Sequence, residues 1–142
     1  MLHPKGRPVT REVPMRDGAT LAADVWLPQP DYRGAAVLVQ TPYNRRIWKP
    51  QVPGEFAWVV LDWRGFHGSK PARVESPDYG RDGYDAVEWI AAQDWCDGKV
   101  GTWGQSALGR VQYWTAAYGP PHLACMVPIV ASIANFHGNY YV

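Results

Sequence analysis

"GTWGQSALG", residues 101–109, sets one serine, Ser106, among small residues at the join of two different periodicities. Upstream, "KVGTW" (99–103) reads as a short strand. Downstream, Leu108, Val111, Thr115 and Tyr118 recur at helical spacing. They predict a helix from about Ser106 to Tyr118, ended by Gly119-Pro120-Pro121. A serine at the tip of a sharp strand-to-helix turn stands exposed on strained backbone. The N–H of the next residue, Ala107, then lies at a helix N-terminus, where it can stabilise an oxyanion. Gly104-Gln105-Ser106-Ala107-Leu108 departs from G-x-S-x-G because position 108 is Leu. The second glycine comes one residue later, at Gly109, where it still permits close helix–sheet packing. The competing reading is a serine that merely caps the helix. Without G-K-[ST], the stretch does not read as a phosphate loop.

Outward from this stretch, strands and helices alternate. "REVPMRDGATLAADVWLP" (11–28) predicts a hairpin with Asp17-Gly18 at its tight turn. Ala35–Gln40 and Ala57–Trp63 are continuous apolar runs, the pattern of strands buried on both faces of a sheet. A Gly/Pro/Ser-rich loop, "RGFHGSKPARVESPDYG", follows. Then Ala86, Val87, Ile90 and Ala91 form one helical stripe. Asp82 is placed as the cap of a helix starting near Gly83 or Tyr84, and "CDG" (96–98) as its stop. Asp85 and Glu88 read as a solvated helix face. "LACMVPIVA" (123–131) is the last strand. Strands alternating with helices imply right-handed crossovers and a parallel sheet, and the leading hairpin implies that the sheet begins antiparallel.

The 142 residues correspond to about one domain, and a net charge of +1 with scattered arginines gives no footprint for nucleic acid. Eight Trp and eight Tyr suit either core packing or an aromatic-lined pocket. Cys96 and Cys125 do not form a disulfide framework and read as free buried thiols. No apolar stretch approaches membrane-spanning length, the N-terminus shows no secretory h-region, and cytoplasm is the default expectation. No cluster of metal ligands is visible, and no cofactor is implied.

Five blocks carry a resemblance: "VPMRDGATLAADVWLP", "TPYNR", "DWRGFHGS", "DGYDAVEWIAAQDW" and "GKVGTWGQSALG". In order and spacing they resemble the opening of the X-prolyl dipeptidyl-peptidase and cocaine-esterase family of α/β-hydrolases, from about Val13 to Pro128. The resemblance implies the N-terminal portion of an α/β-hydrolase sheet and a Ser-Asp-His hydrolase working through an acyl-enzyme on a small-molecule ester, amide or peptide. By position Ser106 corresponds to the nucleophile. Tyr43 of "TPY" corresponds to a hydroxyl of the oxyanion hole, and the backbone N–H of Ala107 to the second donor. The family usually has Tyr where this chain has Ala107, so the acyl pocket beside it is expected to be wider. Tyr43 also has a plain reading, as loop packing after a proline. Asp62, Arg64 and Gly65 read as a strand end, a turn and local hydrogen bonds.

A serine hydroxyl needs a base, usually a His oriented by a carboxylate, and in this fold the acid and base follow the serine in the chain. Here no Asp or Glu follows Ser106, and the histidines beyond it are His122 and His137. His122 falls in a helix-to-strand connection, at the wrong end of the sheet. His137 follows the last strand with no acid to orient it. His67 reads as a loop residue. The expectation is an incomplete catalytic domain whose cap, acid and base lie in sequence not present. Its last strand would form an apolar edge to be covered by a partner chain or by self-association. The alternative is a non-catalytic remnant or a partner-binding α/β fragment.

Overall fold

The computed structural model describes residues 7–50 and 55–132. Eight principal elements follow in order: β1 (Val9–Pro14), β2 (Thr20–Trp26), β3 (Gly34–Thr41), β4 (Ala57–Asp62), α1 (Tyr79–Ala91), β5 (Cys96–Gln105), α2 (Ala107–Ala117) and β6 (Leu123–Ile129). They form one sheet in the order β1-β2-β4-β3-β5-β6. The β1/β2 and β2/β4 pairs are antiparallel, and β4/β3, β3/β5 and β5/β6 are parallel. The sheet thus begins antiparallel and turns parallel, as the element order predicts.

The β4-α1-β5 connection steps over β3, and β5-α2-β6 continues in the same direction. Right-handed crossovers that advance the same way share a face, so α1 and α2 lie side by side on the sheet. Side chains alternate across the pleat. Leu38, Val59, Leu61 and Val100 meet the Val87 and Ile90 stripe of α1. Val39, Trp58 and Val60 point to the other face, where Trp48 of the loop after β3 and Trp103 of β5 pack on them. The Trp58 ring centroid lies 5.4 Å from that of Trp48 and 6.1 Å from that of Trp103. The apolar runs at β3 and β4 are continuous because both of their faces are covered.

Several local expectations are corrected. The hairpin strands run from Val9 to Trp26, and Asp17 and Gly18 lie in a turn of three residues. Met15 N–H donates to Ala19 O at 2.8 Å, and Gly18 N–H to Met15 O at 3.0 Å. Asp82 does not cap α1. The cap is Asp78, whose Oδ1 accepts the Arg81 N–H at 3.0 Å, and α1 starts at Tyr79. Asp82 points inward and pairs with Arg64 at 2.7 Å. Gly80 and Gly83 let α1 settle directly onto Trp114 and Thr115 of α2. "CDG" is not a stop between elements but the start of β5, with Gly98 at φ +87°. Cys96 is buried as expected, and burial pushes its thiol pKa up. Cys125 is exposed on the edge strand β6 instead. Asp85 and Glu88 do more than face solvent. Asp85 holds Arg16 of the hairpin turn at 2.6 Å, and Glu88 holds His122 Nδ1 at 2.7 Å.

Asp78 ties α1 to α2 as well, since its second oxygen accepts the Tyr118 hydroxyl. Burial alone would raise its pKa. The hydrogen bonds from Tyr118 and the Arg81 N–H outweigh that and hold the carboxyl below the ordinary range. A depressed carboxyl contributes stability above its unfolded pKa and loses it as pH falls through the folded value. Asp78→Ala is therefore expected to cost about 1 kcal/mol in urea denaturation at neutral pH. The gap to wild type should close as pH drops below ~4. A gap constant from pH 7 to pH 2 contradicts this.

Candidate active site

In a parallel pair the C-terminal ends of both strands emerge at the same edge. β3 and β5 are such a pair, with Leu38 opposite Thr102. The loop carrying Tyr43 leaves the end of β3, and Ser106 follows the end of β5. Ser106 sits between β5 and α2 at φ 55°, ψ −118°. A non-glycine residue rarely adopts such backbone, and it persists only where its surroundings enforce it. Here the enforcement is visible. Ser106 N–H donates to Ile129 O at 2.9 Å. Its carbonyl accepts Gly109 N–H at 3.0 Å and Arg110 N–H at 2.9 Å.

The side chain does not serve as a helix cap: Ser106 occupies the cap position of α2 without a side-chain capping bond. The N–H of Ala107, in the first turn of α2, meets no backbone acceptor among the described residues. A hydroxyl without a capping role beside a helix-start N–H that meets no backbone acceptor among the described residues is suited to bind developing negative charge.

Two glycines make the turn tight enough. Gly104, at φ +150°, lies against Leu108, and a Cβ there would collide with its side chain. A Cβ on Gly109 would meet Ala131 Cβ at 2.6 Å and Gly104 O at 2.9 Å. Gly109→Ala is thus expected to destabilise the fold by about 1–3 kcal/mol in chemical denaturation. Wild-type stability in this variant would mean that the turn is looser than described.

Tyr43 and Ser106 line one open cavity of about 710 Å³, with Ile47, Trp48, Trp103 and Leu108 forming much of its apolar wall. Of the abundant aromatics, Trp58 is core at 1% exposure, while Trp48 and Trp103 also face this cavity. Both expectations for the tryptophans hold, for different residues. Tyr43 is 57% exposed, and its hydroxyl has no hydrogen-bond partner among the described residues.

The described histidines lie elsewhere. His67 Nε2 is 2.9 Å from Pro42 O, behind the Tyr43 loop and not on the cavity wall. His122 is at the opposite end of the sheet, where its carbonyl accepts the Val100 N–H at 3.0 Å. His137 lies outside the described residues. Among the described residues no His, Cys, Asp or Glu cluster could hold a metal, and no helix is long and apolar enough to cross a membrane.

Sequence reading missed Arg45. It is 3% exposed and lies between two buried carboxylates. Its Nη1 is 2.7 Å from Asp62 Oδ2, and its Nε 3.0 Å from Asp24 Oδ1. Asp62 was expected to make local bonds only. Instead it also accepts the Arg45 and Gly68 N–H groups and anchors the loop beyond β3. Arg64 likewise makes long-range contacts, to Asp17 and Asp82. The Asp82 bond raises the Arg64 pKa over the opposing effect of burial, so Arg64 stays charged.

A mixed sheet with two crossover helices on one face and a serine at a strained strand-to-helix tip defines the α/β-hydrolase class. Within it, residues 17–142 match the X-Pro dipeptidyl-peptidase (S15) family, and the chain belongs to that family. It is 34% identical over 139 residues to the cocaine esterase of Rhodococcus sp. (strain MB1 Bresler), a match that covers 91% of this chain and 24% of that protein. A CocE/NonD family hydrolase from Staphylococcus aureus superposes with a TM-score of 0.70 at 28% identity, covering 84% of this chain and 26% of that one. An α-amino acid ester hydrolase shares the fold at a TM-score of 0.74 and 23% identity, over 91% of this chain and 26% of its own. The chain spans about a quarter of the length of these relatives.

Proposed function

We propose that this chain supplies the nucleophile and the oxyanion donors of a serine hydrolase acting on a small ester, amide or peptide. The observation that carries the reading is Ser106 itself. It has strained backbone and no capping bond, it opens on a cavity, and it adjoins the Ala107 N–H, which meets no backbone acceptor among the described residues. In the reaction a base takes the Ser106 proton as Oγ attacks the substrate carbonyl carbon. The resulting oxyanion accepts hydrogen bonds from Ala107 N–H and the Tyr43 hydroxyl. Collapse expels the alcohol or amine, protonated by the same base, and leaves an acyl-serine. Water then repeats the sequence and releases the acid.

The base and its carboxylate come, in this reading, from sequence beyond these residues. The relatives named above are about four times as long. Residues 1–142 would then form the part of the catalytic domain that contains the hairpin and the elbow at 101–109. The wall of Ile47, Trp48, Trp103 and Leu108 favours an apolar acyl group.

The 142-residue chain alone is expected to hydrolyse activated esters feebly or not at all. It should also self-associate, because Val127 is 44% exposed on β6, which is an edge strand among the described residues. In the longer protein, stopped-flow mixing with a nitrophenyl ester should give a burst of nitrophenol equal to the enzyme concentration if deacylation is the slower step. Hydrolysis that survives unchanged in Ser106→Ala would remove the reading and favour a non-catalytic domain beside some other active site.

A further inference from the structure

The Tyr43 side chain stands largely in solvent, so the course of its loop sets where its hydroxyl lies. That loop is tied down from beneath. Pro42 O is held by His67 at 2.9 Å. Asn44, at φ 81°, accepts the Arg46 N–H through its side chain at 3.1 Å. The strongest tie is Arg45. Its backbone N–H reaches Asp62 Oδ1 at 2.7 Å, its Nη1 reaches Asp62 Oδ2 at 2.7 Å, and its Nε reaches Asp24 Oδ1 at 3.0 Å. Asp62 ends β4 and is fully buried. Asp24 belongs to β2, is 4% exposed, and also accepts the Thr10 hydroxyl at 2.8 Å. One guanidinium thus joins the loop after β3 to two strands on the same side of it.

Buried ion clusters of this kind gain little net stability over apolar packing of the same volume. What a planar, forked guanidinium does supply is direction, because each N–H fixes an angle as well as a distance. Burial works against the charge on Arg45. The hydrogen bonds and attraction of Asp62 and Asp24 more than offset it, and the group remains a cation.

We infer that Arg45, clamped between Asp24 and Asp62, is a positioning residue that sets the Tyr43 hydroxyl over Ser106. The inference rests on the proposed oxyanion role of Tyr43. Arg45 touches neither substrate nor nucleophile and acts only through Tyr43, two residues away. It therefore contributes only while the Tyr43 hydroxyl is present.

A double-mutant cycle in the active, longer protein tests this. Arg45→Lys, which replaces the fork with a single ammonium, and Asp24→Asn, which removes the charge from one arm of the clamp, are each made with Tyr43 and with Tyr43→Phe. Misplacement of a catalytic group by an ångström can cost about 100-fold. With Tyr43 present, each change should lower kcat by about 10-fold or more at nearly unchanged KM. In the Tyr43→Phe background the same changes should lower kcat by less than about twofold, because coupled residues are not additive. Equal losses in both backgrounds would show a general distortion and overturn the inference. So would folded variants with no loss at all. If Tyr43→Phe itself costs nothing, the oxyanion reading fails first, and that result is distinct from the other two. Should Arg45→Lys not fold, the Asp24→Asn cycle gives the same decision.

Discussion

Ser106→Ala in the active protein is expected to lower kcat by about a millionfold while leaving the fold intact. Loss of the nucleophile removes the acyl-enzyme route, and what remains comes from binding and the oxyanion donors acting on water. The fold should survive because no side-chain capping bond is lost and Ala is as small as Ser. Ester turnover and urea denaturation measured on the same preparation separate the two effects. A variant that unfolds, or one that retains a tenth of the activity, contradicts the assignment.

Tyr43→Phe is the second large effect. The hydroxyl has no structural partner among the described residues, and the ring is 57% exposed, so its removal should not change stability measurably. Its proposed work is confined to the transition state, where one oxyanion donor is worth about 3 kcal/mol. The expected result is a loss of about 100-fold or more in kcat, with KM nearly unchanged. A raised KM at constant kcat would instead place Tyr43 in ground-state binding of the substrate.

The hydrolase sheet was legible because its signals are local and redundant. Leu38 and Val39 in β3 and the Trp58–Leu61 run in β4 are buried although they alternate between the two faces, so they appear as unbroken apolar runs. Ser106 and Tyr43 were legible as neighbours because each follows one of two strands expected to lie side by side. The elbow tolerated its irregular motif because the close contacts fall at Gly104 and Gly109, with Leu108 filling the space over Gly104.

What was not legible depends on partners far apart in the chain. "NRR" at 44–46 has the composition of a solvated loop, and nothing in the spacing connects Arg45 to Asp24 or Asp62. Asp82 lies near the helix start, as a capping residue would. The cap itself is Asp78, one turn earlier. Asp82 instead pairs with Arg64, a partner 18 residues away that no local spacing announces. Cys125 looked buried because its strand is apolar, but the edge position of β6 leaves it exposed. The base and acid could not be read at all, since His137 is the one histidine after the last strand and no carboxylate follows Ser106.

The most direct measurement is the site of covalent labelling by a fluorophosphonate, which forms a stable phosphonyl ester with an activated serine. The active protein would be labelled to completion, digested, and its serine peptides weighed. The account expects one adduct per chain, on the peptide containing Ser106, with activity lost in proportion to labelling. An adduct on any other serine, or full activity in protein whose Ser106 is fully labelled, would contradict it.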